Sequence, residues 1–399
     1  MGATLRAPTL EELAGDPHPH LARLRAVAPV AFVPALGGYL VTGRAAALDV
    51  LRDPAAFTVD DPRFSTGRVV GPSMLSLDGA EHQRHRTPFV APFRPRQVGA
   101  RFGTFVAAQA DRRVEAVAAT PSRTAELRTS LAGPLAAAVV ADSLGLDADD
   151  EAIVQQLLGW YREIVTSVSG AAAGRAVTAP GTESMAALAS ALRAHLDAGA
   201  ESLLADAVNA GSLDRAEAVS NAAVIMFGGI ETTEAMILNA LWFVLGDHGG
   251  WTPATHDPAG VGQAVEESLR LEPAAAVVDR YATRDVTLAG TEIPTGALVV
   301  VSLAGANRDP AEFPDPDRFD PSRPNVRRQL AFASGPHVCL GMDLARLETC
   351  VAVAALLRRL PALRMANGSP PPTGLVFRKP ERLDVTWDAP EEATRGGRA

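Results

Sequence analysis

Phe332-Ala333-Ser334-Gly335-Pro336-His337-Val338-Cys339-Leu340-Gly341 is the stretch on which the reading of this chain turns. The cysteine stands just before a run, about Leu340 to Leu357, that predicts a long helix. Unpaired backbone N–H groups and the helix dipole favour an anion at such a start. The position therefore predicts a lowered thiol pKa and a thiolate able to bind a metal. Gly335 and Gly341 permit the backbone to come close to a flat ligand, and Phe332 is placed to keep water from one side of the sulfur. A lone cysteine is ordinarily buried and inert. The residues around this one argue otherwise.

Other segments carry unusual chemistry for their setting. Ala218 to Leu245 is apolar on nearly every face, as a helix running through a core would be. Gly228-Gly229-Ile230-Glu231-Thr232-Thr233 interrupts it. Two glycines there cost about 1 kcal/mol each relative to alanine, and a buried acid costs more unless paired. Glu267 and Arg270 share one helical face at i,i+3. His82 and Arg86 do so at i,i+4, a pattern that a solvated basic face also shows.

The run around Cys339 resembles the haem-binding signature of the cytochrome P-450 family, in which Phe, a Gly-rich turn, a basic residue, Cys and Gly recur at this spacing. The other segments follow in the family's order, so the resemblance covers roughly residues 16 to 388. It implies a mainly α fold with a small β portion and a long central helix over haem. It implies haem b (iron protoporphyrin IX), with Cys339 as axial iron ligand, and Phe332, Gly341 and Gly229 beside the cofactor. His82, Arg86, Arg280 and His337 would reach the propionates. It makes Glu231 and Thr232 an acid–alcohol pair that delivers protons to dioxygen, and Gly229 the residue that leaves room for it. Glu267 and Arg270, with Arg318 as partner, would lock the coil before the cysteine. Ala333, where the family often has Gly, and Pro336 depart from the signature. Both are small or turn-compatible.

Composition agrees with a globular chain. It has 399 residues, 47% apolar and 21% charged, with a net charge of −9. No dense basic run points to nucleic acid. Arginine far outnumbers lysine, and Lys379 is the only lysine; the skew carries no functional reading. Cys339 and Cys350 lie in what reads as one helix, where a disulfide is geometrically implausible, and two free thiols suit a reducing cytosol. No unbroken apolar stretch of membrane-spanning length occurs, and the N-terminus lacks a signal core. The expectation is a cytoplasmic protein with no membrane or nucleic-acid partner.

We expect one domain over 1–399, with β structure near 28–60 and 280–302 and a disordered tail over 390–399. A hairpin is expected around Gly37-Gly38, a loop-rich stretch from Phe57 to Leu77, and a packed functional coil from Asn307 to Pro324. The Gly/Ala/Pro segment from Gly170 to Gly181 reads as a mobile connection. Asp247 to Pro258, with Gly249-Gly250 and two prolines, predicts a short or missing helix where the family has one.

The resemblance implies a monooxygenase that activates O2 at the Cys-ligated iron. It would hydroxylate or otherwise oxidise a mainly hydrophobic small molecule in secondary metabolism or catabolism. Val69, Met74, Leu75, Phe227, Ile230, Ala275, Val277, Val278, Leu375 and Val376 would line its pocket. No flavin or nicotinamide fingerprint is present. Electrons from NAD(P)H would therefore arrive through separate proteins, a ferredoxin and its reductase. Alternatives are an oxidative coupling or cyclisation enzyme or a peroxygenase on the same scaffold, and more distantly a non-catalytic haem gas sensor. The Glu231–Thr232 pair argues against the peroxygenase and the sensor.

Overall fold

The computed structural model describes residues 6–172, 175–199, 201–246 and 258–389. The expectations for 247–257 and for the tail over 390–399 lie outside these residues, as does the centre of the Gly170–Gly181 segment.

The central helix, Arg215–Leu245, organises the molecule. It starts on a capping box in which Asp214 and Glu217 satisfy each other's backbone N–H groups. Gly133–Leu144, Glu151–Ala172, Pro258–Leu271 and Met342–Arg359 pack around it, which explains an apolar surface on nearly every side. Among the described residues this helix alone is long and apolar enough to cross a membrane, yet most of it is buried in the protein.

The β portion is a mixed five-stranded sheet in the order Val30–Val33, Gly38–Val41, Leu298–Ser302, Val277–Ala282, Phe57–Thr58. The hairpin pairs Val30 with Val41 and Val33 with Gly38, as Gly37-Gly38 predicts. Gly38–Val41 runs parallel to Leu298–Ser302, and the other neighbours are antiparallel. Two elements depart from expectation. Phe57 to Leu77 contains a helix, Ser65–Val70, in addition to loop. Val277–Ala282 forms a strand although Asp279 and Arg280 interrupt its apolar pattern; pairing with Leu298–Ser302 overrides that local signal.

The Pro- and Asp-rich coil is indeed packed, but not by the arginine expected. Arg270 makes a bidentate pair with Glu267 at 2.7 and 2.8 Å, fully buried. Arg270 also donates to the carbonyls of Asn307, Pro316 and Arg318. The second guanidinium on Glu267 belongs to Arg323, at 3.1 Å. The side chain of Arg318 is exposed, and the residue contributes its backbone carbonyl. The chain turns at Asp320–Arg323 and brings the later arginine inward, a choice that the linear pattern does not display.

The Met342–Arg359 helix buries Glu348 with one carboxyl oxygen unpartnered. Burial pushes this carboxyl well above its ordinary value of 4.5. The folded state then holds a proton that the unfolded chain releases, so Glu348 lowers stability as pH rises beyond about 4.5 toward the folded value.

Two outcomes follow from these buried charges. Glu348→Gln is expected to match the parent near pH 4.5 and to become progressively more stable than it as pH rises, measured by urea unfolding at several pH values. Arg323→Ala, which removes a buried partner, is expected to cost roughly 2 kcal/mol or more in the same assay. Arg318→Ala should change stability by no more than about 0.5 kcal/mol.

Candidate functional site

The cysteine loop is a set of tight turns. Ala333 N–H donates to Leu330 O, Val338 N–H to Gly335 O, and Cys339 N–H to Phe332 O. Gly335 has φ +75°, and a Cβ there would stand 2.2 Å from Leu51 O, so the position excludes other residues. Ala333 has φ +59°. A left-handed alanine costs about 1 kcal/mol, and glycine would relieve it. The departure from the signature therefore has a conformational cost even though alanine is small.

Cys339 is accessible on one side, yet protein encloses it closely enough that burial pushes its thiol up. Its sulfur thus lies at the floor of a cleft. The Gly341 backbone N–H, Arg86 and Arg346 act in the expected lowering direction, and burial outweighs them. The helix-start argument for a lowered thiol therefore names real influences but the wrong sign for their sum. Phe332 offers its carbonyl to Cys339, and its ring lies under the Arg346 guanidinium at 4.6 Å. Gly341 caps the helix, with open space where a side chain would stand.

Around the cleft the fold gathers His82, Arg86, Arg280 and His337. Arg86 donates to Val338 O at 2.7 Å, and Arg280 to its neighbour's carbonyl, Asp279 O, at 2.7 Å. Burial lowers the pKa of both arginines, Arg280 to about 10. The rings of His82 and His337 meet at a tilt of 60°, with centroids 4.2 Å apart. His82 Nδ1 lies 2.9 Å from Met74 O and its Nε2 3.2 Å from Pro336 O. A neutral imidazole has one N–H and satisfies one of these carbonyls; burial, His337 and Arg86 all press His82 toward that form.

Asp78 is a member of this group that the sequence did not reveal. Its Oδ1 lies 2.8 Å from His337 Nε2, and its Oδ2 accepts from the Thr58 hydroxyl and the Val59 N–H. Burial raises the Asp78 carboxyl, but His337, Thr58 and Val59 more than offset that and bring it to about 2. Its partners lie 19 and more residues away in sequence, so nothing local marked it.

Most of the central helix is sealed, but Val224, Ile225, Gly228, Gly229 and Thr232 form a partly open stripe at helical spacing. Thr232 Oγ1 donates to Gly228 O at 2.5 Å, and the helix continues through this point. Gly228 has open space where a Cβ would stand, whereas a Cβ on Gly229 would meet Val140 Cγ2 at 2.7 Å. Gly229 therefore serves close packing against Gly133–Leu144, and the clearance expected of it belongs to Gly228.

Glu231 turns away from that stripe. It is buried, and its Oε1 lies 2.7 Å from Lys379 Nζ. Glu234, one turn on, lies 2.8 Å from the same nitrogen and pairs with Arg128. Lys379, Glu234 and Arg128 were all missed. The uniqueness of Lys379 was the available signal.

The expected pocket residues divide. Val69, in the helix Ser65–Val70, and the loop after it that bears Met74 and Leu75 sit by the open stripe, with Met74 N–H donating to Asn221 Oδ1 at 2.8 Å. Met74 itself is buried. Ile230 is fully buried and Phe227 nearly so, both within a core cluster, so helix rotation removes them from the open stripe. Phe227 instead meets Phe377 edge to face at 5.4 Å. Val277 and Leu375 pack toward Leu13 and Leu21 of the N-terminal segment. Ala275 pairs with Phe377, Val278 packs with the sheet cluster, and Val376 is exposed.

The family model described as "Cytochrome P450" matches residues 261–386. A cytochrome P450 BJ-1 homolog of Sinorhizobium fredii is 34% identical, over 93% of this chain and 96% of its own length. Cytochrome P450 monooxygenase PikC of Streptomyces venezuelae is 33% identical, over 99% and 98%. The chain belongs to the cytochrome P450 family. Among solved structures, P450 CYP109Q5 from Chondromyces apiculatus superposes with a TM-score of 0.85 at 26% identity, covering 98% of this chain and all of that one. P450BioI, crystallised with a hexadec-9Z-enoic acid ligated acyl carrier protein, gives 0.83 at 28% identity, covering 95% of this chain and all of that one.

The family is one of haem monooxygenases, and the residues here suit the group. Arg280 is buried and Arg86 partly buried, and neither forms an ion pair among the described residues, Asp78 and Asp279 acting on Arg280 only from farther off. An unpaired buried cation is costly, and a cofactor bearing two carboxylates is its natural counter-charge. A sulfur on the cleft floor and an open helical stripe complete a donor set of the right kind.

Proposed function

We propose that this cytochrome P450 holds haem through Cys339 Sγ, with Arg86, Arg280, His82 and His337 on the propionate side, and oxidises a mainly apolar small molecule. When bound, the haem supplies the oxidising chemistry on O2. The protein's share is binding, orientation, exclusion of water and proton supply. The observation that carries the reading is an accessible cysteine beside two arginines, Arg280 buried and Arg86 partly buried, that form no ion pair with a carboxylate among the described residues.

Thr232 and Glu231 are the proton-handling pair in this proposal. The Thr232 hydroxyl proton is held on Gly228 O, and rotation about χ1 would present it to the cleft. Glu231, its neighbour along the helix, is the residue assigned in this proposal to replenish that proton, through the charged group it joins rather than by direct contact. Val224, Ile225 and Gly228 on the helix, with the Val69–Leu75 segment, give the substrate an apolar wall in this reading. Support for an apolar guest comes from relatives: the P450BioI structure carries a long acyl chain, and another solved relative, 29% identical, holds myristic acid. A role in secondary metabolism or catabolism, electrons from a ferredoxin and its reductase, and a cytoplasmic location belong to the same proposal.

Two measurements test it. The reduced, haem-loaded protein with carbon monoxide is expected to show the strongly red-shifted Soret band of thiolate ligation, and Cys339→His to lose it; a parent without that band ends the proposal. Thr232→Ala should keep consuming electrons and oxygen while product per electron falls severalfold. Unchanged coupling in that variant would remove Thr232 from the relay.

A further inference from the structure

The sole lysine of the chain is placed between two buried carboxylates, one of them Glu231. Lys379 Nζ lies 2.7 Å from Glu231 Oε1 and 2.8 Å from Glu234 Oε1, nearly equidistant. The contacts are electrostatic rather than directed, since neither oxygen lies in hydrogen-bond alignment with the ammonium. Glu234 holds a second cation, Arg128, whose Nε approaches its Oε1 to 2.8 Å. The two glutamates come from the central helix at i,i+3. Arg128 comes from a π-helical turn, Arg128–Ala132, and Lys379 from the C-terminal segment. Glu126 faces the outer side of Arg128 and also touches the Leu383 N–H. Arg378, the neighbour of Lys379, is committed elsewhere, to Glu272.

The surroundings are shaped to admit Glu234. A Cβ on Gly133, directly after the π-helical turn, would stand 2.7 Å from Glu234 Oε2. The glycine and the widened turn thus accommodate a carboxylate that Glu231 alone would not require. π-helical turns inside helical segments often mark functional sites.

We propose that Glu234 and Lys379 are positioning residues that let Glu231 exchange its proton without leaving a buried charge unpaired. With both glutamates ionised, their two carboxylates are matched by Lys379 and Arg128, while Glu126 lies on Arg128 from outside the pair. When Glu231 takes a proton, Lys379 still has Glu234, at the same distance. When Glu231 gives its proton up, Lys379 is already beside it. Without Glu234, each protonation of Glu231 would leave the Lys379 ammonium without a carboxylate. Without Lys379, each deprotonation would strand a carboxylate. Glu234 does not reach the cleft; it acts through Lys379. The inference rests on Glu231 being part of the proton supply.

The two variants shift Glu231 in opposite directions. Lys379→Met removes the cation, disfavours the carboxylate, and moves the pH limb controlled by Glu231 upward by about one unit or more. Glu234→Gln leaves Lys379 to Glu231 alone, favours its carboxylate, and moves that limb downward. A packing role would not produce opposite signs. Product per electron is measured against pH for the haem-loaded parent, Glu231→Gln, Glu234→Gln, Lys379→Met and Lys379→Arg. The infrared band of protonated carboxyl groups is recorded on the resting proteins with isotope-labelled glutamate.

Glu231→Gln should abolish the limb. Lys379→Met should show a protonated-carboxyl band at pH values where the parent has none, and Lys379→Arg should return the limb to within about half a unit of the parent. If Lys379→Met does not fold, the nearly isosteric Glu234→Gln decides by the direction of its shift. Shifts of the same sign, or none, while Glu231→Gln does alter the profile, overturn this inference alone. An unaltered profile in Glu231→Gln overturns the relay reading, and this inference with it.

Discussion

The placement of the cysteine depends on an ion pair withdrawn entirely from water. Glu267 and Arg270 have no solvent exposure, so each charge must be matched within the protein. Arg270 spends its remaining donors on the carbonyls of Asn307, Pro316 and Arg318, and Arg323 closes the group from the far side of the coil. From there the constraint passes along the chain. Leu330 N–H donates to Asn307 Oδ1 at 2.6 Å, Ala333 N–H to Leu330 O, and Cys339 N–H to Phe332 O. A coil rich in proline and aspartate would otherwise have many conformations. Here its backbone is held by two arginines, and the sulfur inherits that rigidity.

A second theme is where charge is left open and where it is closed. Glu267 and Glu272 are surrounded by arginines and, for Glu272, by His18. Those groups are internally complete and act as structural ties. Arg280 is buried, and Arg86 partly so, without such closure. That contrast separates the two kinds of group more sharply than burial does. The group around Lys379 lies between: it is closed, but with one cation shared between two acids.

The resemblance placed the cysteine loop, the Glu-x-x-Arg pair and the acid–alcohol dipeptide in register, because each has a local signature that survives without neighbours. The long central helix and the terminal helix were legible from apolar patterning, and the hairpin from Gly37-Gly38. The errors are of direction. Arg318 in place of Arg323 turns on a fold of the coil, whereas Gly229 in place of Gly228 and Ile230 as a pocket wall are right to within a residue or two of the helix and wrong in facing. On a helix, a shift of one residue turns a side chain by about 100°, enough to exchange a cleft for a core.

By itself the sequence determined the chemistry that is carried within short segments: a cysteine ahead of a helix between two glycines, an acid beside an alcohol within an apolar helix, an arginine one turn after a glutamate. Tertiary structure decided which groups from distant segments meet. Asp78 reaches His337 across the cleft, Arg323 rather than Arg318 closes on Glu267, and Lys379 lies between Glu231 and Glu234. Those choices follow from packing. The apolar faces fix the helices first, and each buried charge then pairs with whichever opposite charge the fold has brought within reach, at a sequence distance that no local pattern encodes.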